Sequence, residues 1–403
     1  MTRVVAALMA ASTLLVGVGD ASTQAALTPP TGERVYVVSN RGADGVTGTV
    51  SIIDPQAMAV VDRIPVRREP RRIYPVPGRN IAYISHLYGQ RLEVLDLLSD
   101  SVVQDIRTGF GPRDLAFSPN HLFAYTDDFL GDTVTAIDTV SGRSTGVVAV
   151  GHHPEHDVVS ADGRYVFVAN SGDSTVSVID TRILRVVSTV TVGLDPVRRP
   201  SHPFDVALSP DGAQVVVTGA GDNSLSFIST QTRARLASVA VGGADAAAPS
   251  EDRDQMLNVR ITSDGAYAWV GTQASSRWSV VSLAGHRLVA DLAGGPGADI
   301  LFLPPAGPAS GLGLGTARFS NRMTVVDPGH PALLRTFVTA PGSHLLAFDR
   351  DWTLAFVSCP VGNAVSVIDL RTMTDVRDVP VPVPDGIADV WFVLGQAQAH
   401  IAR

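Results

Sequence analysis

Apolar and β-branched residues fall in runs of four to seven positions along this chain, separated by turns rich in Gly, Asp, Ser and Asn. Such runs are too short for a mean helix and suit the pleated backbone of a sheet, so they predict strands throughout. One strand recurs along the whole chain: Val50-Ser-Ile-Ile-Asp54, Leu92-Glu-Val-Leu-Asp96, Val134-Thr-Ala-Ile-Asp138, Val176-Ser-Val-Ile-Asp180, Leu225-Ser-Phe-Ile-Ser229, Trp278-Ser-Val-Val-Ser282, Met323-Thr-Val-Val-Asp327 and Val365-Ser-Val-Ile-Asp369. Successive copies end 42 residues apart at four of the steps, and 49, 53 and 45 apart at the others. A period near 40 residues marks a repeat architecture whose units bury their faces against one another.

Residues 152–193 display the unit best. An inner strand, His156 to Ser160, is followed by Asp162-Gly163, then Tyr165-Val-Phe-Val-Ala-Asn170, a Ser/Gly/Asp loop, Val176 to Asp180, and Val186 to Val192. Asp-Gly between two apolar runs predicts a type I′ hairpin with positive φ at both central residues, and Asp211-Gly212 and Asp264-Gly265 repeat it. Each unit is thus a four-stranded meander, and the predicted fold is an all-β propeller. Residues 33–66 supply only the last three strands of a unit, beginning Val35-Tyr-Val-Val-Ser-Asn40, while Asp389-Val-Trp-Phe-Val-Leu394 reads as an inner strand without followers. Joined in one sheet they close a ring of eight blades; if the degenerate region 296–340 forms no blade of its own, the ring has seven. The predicted organisation is a leader over 1–26 and a single propeller over 27–403.

Tyr36-Val-Val-Ser-Asn40, and Phe167-Val-Ala-Asn170 followed by Val176-Ser-Val-Ile-Asp180, resemble the YVTN-repeat β-propeller family. The likeness is sharp in 33–230 and 341–370 and weak between 243 and 340. It implies an exported propeller of the surface-layer or periplasmic type, often without assigned activity. Related propellers include lactone hydrolases and the haem d1 domain of nitrite reductases, so the resemblance does not by itself fix function.

Met1 to Ala26 has the layout of a signal peptide: Arg3, the apolar run Val4 to Val18, then small residues around Ala21 and Ala25, where cleavage is expected. The run is shorter than the ~20 residues that span a bilayer, so export without a transmembrane anchor follows, to the periplasm, the cell surface or the medium. Over 403 residues the chain is 45% hydrophobic with a formal net charge of −8, which supports a large core and argues against nucleic acid as a partner. Cys359 is the only cysteine. No intrachain disulfide, Cys-based zinc site or Cys-x-x-Cys-His haem attachment can therefore form. Within Leu354-Ala-Phe-Val-Ser-Cys359 it reads as a small buried hydrophobe; nothing in the sequence demands a cofactor, and a monomer is expected.

Inner strands line the channel of a propeller, so the residues that open them decide what the channel mouth can hold. An offset of about 18 residues from the end of each repeated strand, allowing for insertions, gives Arg72, Asp114, His156, Asp205, Asn258, Asp299 and Leu345, with Ile387 or Asp389 eighth. Such a ring is a candidate ligand site; the alternative is that these groups cap strands and bond loop amides. Both long steps insert residues just before an inner strand, in Leu194 to His202 (with Arg198 and Arg199) and in Gly243 to Gln255 (with Glu251, Asp252, Arg253 and Asp254), and so lengthen the face that carries the ring. His152, His153, His156 and His202 gather there, and His344 sits beside a ring position. His152 and His156 with Asp114 and Asp205 are candidate ligands for a divalent metal, although their spacing matches no established motif. His156 beside Asp114 or Asp205 is a possible acid/base pair, but no nucleophile is singled out. The basic run Arg67 to Arg72 is a weaker candidate for anions. Gly311-Leu-Gly-Leu-Gly315 lacks the features of a phosphate loop and reads as a strand with close backbone neighbours. Two functions fit: a binding protein for a small molecule, glycan or protein, using the mouth and the long-loop face, or an enzyme at the mouth, a lactonase-like hydrolase or isomerase with or without a metal.

Overall fold

A computed structural model describes residues 34–39, 47–55, 57–242, 257–381 and 390–392. Their strands form eight sheets of four antiparallel strands each. Seven sheets begin with an inner strand and run outward in sequence order, the inner strands being β4 (Pro70–Pro75), β8 (Pro112–Phe117), β12 (Pro154–Val159), β16 (Pro203–Leu208), β20 (Leu257–Ile261), β24 (Ala298–Phe302) and β28 (Leu346–Phe348). The remaining sheet joins the chain's two ends: β32 (Val390–Phe392) pairs with β1 (Val35–Ser39), and β2 (Gly48–Asp54) and β3 (Ala59–Val66) follow outward. In that closing seam Val37 faces Phe392, Val38 faces Trp391 and Ser39 faces Val390. The region 296–340 builds a full blade from Ala298 to Val338, so the propeller has eight blades rather than seven.

The repeated strand is the third of each blade, and its two polar positions have separate structural causes. The middle hydroxyl reaches the blade before it. Thr135, Ser177, Ser226, Ser279 and Ser366 accept the N–H of Gly109, Gly151, Gly193, Gly242 and Ala340 at 3.0, 3.4, 2.9, 2.8 and 2.9 Å, each in the connector arriving from the preceding blade. Glu93 takes the same place for Arg67 N–H at 3.0 Å. Glycine suits the connector because a Cβ on Gly109 would lie 2.3 Å from Thr133 Oγ1. The terminal aspartate turns the chain: Oδ1 of Asp96, Asp138 and Asp369 accepts the N–H two residues on at 2.8 Å in each case, the Asx geometry that short polar side chains favour.

The Asp-Gly turns differ from the type I′ expectation. Gly163, Gly212 and Gly265 have φ of 72°, 70° and 69°, whereas the preceding aspartates keep negative φ. Asp162 Oδ1 instead accepts Ser160 Oγ at 2.6 Å and Arg164 N–H at 3.0 Å, and Gly163 N–H donates to Ser160 O at 2.8 Å. The aspartate side chain thus organises a longer turn in which only the glycine takes positive φ.

Packing between blades fills the rest. The indole of buried Trp278 lies where a Cβ on Gly315 would meet Cζ2 at 2.4 Å, and a Cβ on Gly313 would meet Val326 Cγ2 at 2.5 Å, so close neighbours account for these two glycines, while Gly311 has open space and a φ of 79°. Cys359 is buried, and burial pushes its thiol up to about 12, so it packs as an inert small side chain. Among the described residues no helix is long and apolar enough to cross a membrane. Deleting residues 390–403 removes the inner strand of the closing blade. The melting temperature is expected to fall by roughly 6 °C, the shift that a loss on the order of 5 kcal/mol produces in a chain of this size. An unchanged melting curve for the truncated chain would contradict closure through β32.

Candidate ligand site at the channel mouth

The geometry of the inner strands brings their opening residues together. β4, β8, β12 and β16 each start at a proline, which has no N–H to give to the ladder. Just after it the register slips, between Pro112 and Leu115, Pro154 and Asp157, and Pro203 and Val206. β24 slips likewise between Ala298 and Leu301. Slips of this kind bend the strand and re-aim the side chains within it. A hydroxyl on the second strand braces the bend: Thr218 Oγ1 accepts Asp205 N–H at 2.8 Å, and Ser358 Oγ accepts Leu345 N–H at 2.9 Å.

The slipped residues form two buried groups. In the first, Arg72 Nη1 and Tyr74 OH donate to Asp114 Oδ1 at 2.9 and 2.7 Å. His156 Nδ1 lies 3.4 Å from Asp114 Oδ2 and 3.3 Å from Asp205 Oδ1, so two carboxylates hold its proton on that nitrogen. Asp205 Oδ2 in turn accepts Val259 N–H and Arg260 Nη1, both at 3.0 Å. In the second group Asp299 Oδ1 accepts Asn258 Nδ2 and Gln273 Nε2 at 2.8 Å each, and Asp299 Oδ2 lies 3.3 Å from His344 Nε2. The mouth beside His156 is aromatic: its ring packs on Phe204 at 4.9 Å, and the Arg113 guanidinium sits 4.7 Å over Phe129 while pairing with Glu155 at 2.7 Å.

Arg72, Asp114, His156, Asp205 and Asn258 stand at equivalent places on their inner strands, while Asp299 stands one residue before the equivalent place, which Ile300 takes. In the last repeat His344, which meets Asp299, likewise stands one residue before Leu345, whose backbone is held by Ser358. Ile387, Asp389 and residues 251–254 lie outside the described residues. The other histidines hold loops. His152 Nδ1 pairs with Asp132 at 2.7 Å on the surface, His153 stacks on Phe129 at 4.8 Å, and His202 Nδ1 donates to Ser171 O at 2.8 Å. Of the four candidate metal ligands, the structure brings Asp114, His156 and Asp205 into contact, while His152 bonds Asp132. Arg199 Nε donates to Gly221 O at 3.1 Å, anchoring the first long connector.

Sequence reasoning missed Arg260, Asp127 and Asp157. Carboxylate oxygens of Asp114, Asp127 and Asp157, all buried, lie within 4.8 Å of one another. Oxygen donors at that spacing suit a hard divalent cation. A signal for them was present. The position of Asp127 is Ser39, Ser85, Ala169, Thr218, Gly271, Thr316 or Ser358 in the other blades, and that of Asp157 is Ile73, Leu115, Val206, Val259, Leu301 or Leu346. Both aspartates replace small or apolar residues, at facing positions of a single seam.

Neighbouring carboxylates titrate in opposite directions. Burial raises Asp205, but the His156 hydrogen bond and the Arg260 charge outweigh it and hold the carboxyl below its ordinary value. Asp299, with neutral amide partners, is pushed by burial up to about 6. Burial, with the fields of Arg318, Arg72 and Arg71, drives His344 well below its usual value and keeps it neutral.

Stability should therefore respond to pH with opposite sign at the two aspartates. A lowered carboxyl stabilises the fold above its unfolded pKa of about 4 and loses that contribution as the pH falls through the folded value. Asp205→Asn is expected to cost on the order of 3–5 kcal/mol at pH 7, by leaving Arg260 buried without its charge partner, and much less below pH 4. Asp299 opposes folding once its unfolded form ionises near pH 4, and fully so above 6. Asp299→Asn should gain about 3 kcal/mol relative to the parent between pH 4 and pH 7.5. Urea unfolding curves at the two pH values measure both; parallel pH profiles for parent and variants would refute the assignments.

No family model matches the sequence, and no curated protein does. Solved structures do match. The dihydro-heme d1 dehydrogenase NirN, in complex with DHE, is 17% identical with a TM-score of 0.60, over 87% of this chain and 74% of that one. A functionally unknown protein from Desulfotomaculum acetoxidans DSM 771 is 11% identical with a TM-score of 0.56, over 77% of this chain and 99% of that one. Hydrazine synthase of Kuenenia stuttgartiensis reaches 0.49 at 20% identity, over 65% and 77%. At these identities the first two matches establish what the strand order also gives, an eight-bladed β-propeller.

Proposed function

We propose that this chain is an exported propeller of the YVTN-repeat type that binds a small anionic ligand at the channel mouth. The observation that carries the reading is the linked array from Arg72 through Asp114, His156 and Asp205 to Arg260, contributed by successive inner strands and buried at one end of the channel. Burying this many charges has a desolvation cost that packing alone would avoid with apolar side chains, as the neighbouring positions of most blades do. The sign of the ligand comes from the arginines: Arg71, Arg72 and Arg318 all act on His344 and together favour a negative group near it. The hydroxyl nearest Asp205, that of Thr218, is bonded to backbone, which favours binding over nucleophilic catalysis. NirN, described in complex with DHE, is an example of the same fold holding a ligand.

A second reading, a metal-assisted hydrolase or isomerase, is favoured by the Asp114, Asp127 and Asp157 carboxylates, with His156 as acid/base. Metal analysis and lactone and ester assays separate the two. Stoichiometric metal with turnover lost in His156→Gln supports the enzyme.

The binding reading is tested by thermal-shift titration with citrate, inorganic phosphate and glucose. Saturation at 100 times Kd should stabilise the protein by about 2.7 kcal/mol. The anions should raise the melting temperature, and Arg72→Met should abolish the rise. No response to either anion, or an equal response in the variant, refutes it.

A further inference from the structure

The end of the propeller opposite the mouth carries a second cavity, of about 430 Å³, in the seam between the blade begun by β8 and the blade begun by β12. Its walls come from the turns that follow these inner strands, Ser118 to Asn120 and Ala161 to Gly163, and from the later turn Thr181 to Leu184. The mouth residues open the inner strands and these turns close them, so the two sites lie at opposite ends of the channel direction.

The repeat explains why this seam is open. Ala136 faces Gly146 across the outer two strands of the β8 blade. In the other blades the position of Ala136 is Ile52, Val94, Val178, Phe227, Val280, Val325 or Val367. The facing residue is larger too, from Ala237 and Ala290 up to Arg335 and Arg377. Only here are both residues the smallest available.

The clasp across the seam is also altered. In each of three other seams, the residue at the left-handed position of the outer turn bonds the preceding blade. Asp100 accepts Tyr36 OH at 2.7 Å, Arg233 Nη1 donates to Tyr165 OH at 3.0 Å, and His286 Nε2 lies 2.9 Å from Gln214 Oε1. Here that residue is Leu184, with φ of 48°, and the counterpart of Tyr165 and Gln214 is Phe123. Neither side chain can hydrogen-bond, so a polar clasp becomes two apolar walls. Leu184 leans over Gly146, where a Cβ would come within 2.8 Å of its Cδ1. Phe123 remains 37% exposed, a large aromatic edge facing water at a cavity rather than packed in a core.

We propose that this seam binds a small, uncharged, mainly apolar molecule of one or two rings. The volume lies within the roughly 300–1,000 Å³ typical of small-ligand sites. Phe123, Tyr125, Ala136 and Leu184 supply the apolar walls, and Asn120 and Arg182 at the rim offer N–H donors to one hydroxyl or carbonyl group on the guest. The site is independent of the mouth and of any anion bound there.

The test uses 2-naphthol as the probe, titrated into the full chain by calorimetry. Saturable binding at one site is expected. Ala136→Val restores the bulk that most other blades carry, so it keeps the fold while filling the cavity, and affinity should drop at least about tenfold. Phe123→Ser removes an exposed wall and should weaken binding comparably without moving the melting temperature, while Arg72→Met at the mouth should leave naphthol affinity unchanged. Absence of saturable binding to the parent chain, or affinity in both seam variants unchanged from the parent's, overturns the proposal. Loss of naphthol binding in Arg72→Met would also overturn it, by moving the probe to the mouth.

Discussion

A backbone amide buried where one blade hands over to the next must find an acceptor, and in this propeller the acceptor belongs to the blade it enters. The hydroxyls of Thr135, Ser177, Ser226, Ser279 and Ser366, and the carboxylate of Glu93, serve that purpose. Six of the eight blades are thereby fixed to their predecessors at the same depth. Because the depth is common, the inner strands begin level with one another, and side chains from separate sheets meet at hydrogen-bonding distance. The channel mouth is a by-product of this regular spacing; its chemistry lies in which residues the chain places at the slipped positions.

What could be read from the sequence follows from how often a physical requirement repeats. The repeated strand, the eight blades and the joining of the two ends were legible because every unit solves the same packing problem with the same residue types. The offset led to Arg72, Asp114, His156, Asp205 and Asn258 because these stand at one place in their strands. It is one residue off at Asp299 and at His344, each of which precedes the equivalent place, taken by Ile300 and Leu345. His152 and His202 were grouped with His156 by sequence, yet in space they turn to Asp132 and Ser171. Arg260, Asp127 and Asp157 were illegible to a search for agreement between repeats, since their significance lies in breaking it. The Asp-Gly turns misled for a local reason: the aspartate side chain bonds within the turn and spares its own backbone from positive φ.

The mouth is electrically uneven. On the side of β8, β12 and β16, carboxylates stand against His156, Arg72 and Arg260, and Asp205 stays ionised. On the side of β24 and β28, Asp299 is met by amides and by a neutral His344, while the arginine field dominates. The two sides of the mouth thus differ in kind, ion pairs on one and a carboxyl with amide and neutral imidazole partners on the other.

The pairing of β32 with β1 has a consequence for the order of events in the chain's own synthesis. The first blade to leave the ribosome lacks its innermost strand, and that strand is made after every other strand described in the propeller. Until then the growing polypeptide is an open arc with a bare sheet edge at its leading end, and such edges recruit foreign strands. Completion therefore waits on one short segment: the circle locks only once β32 has been made and is free to return to β1.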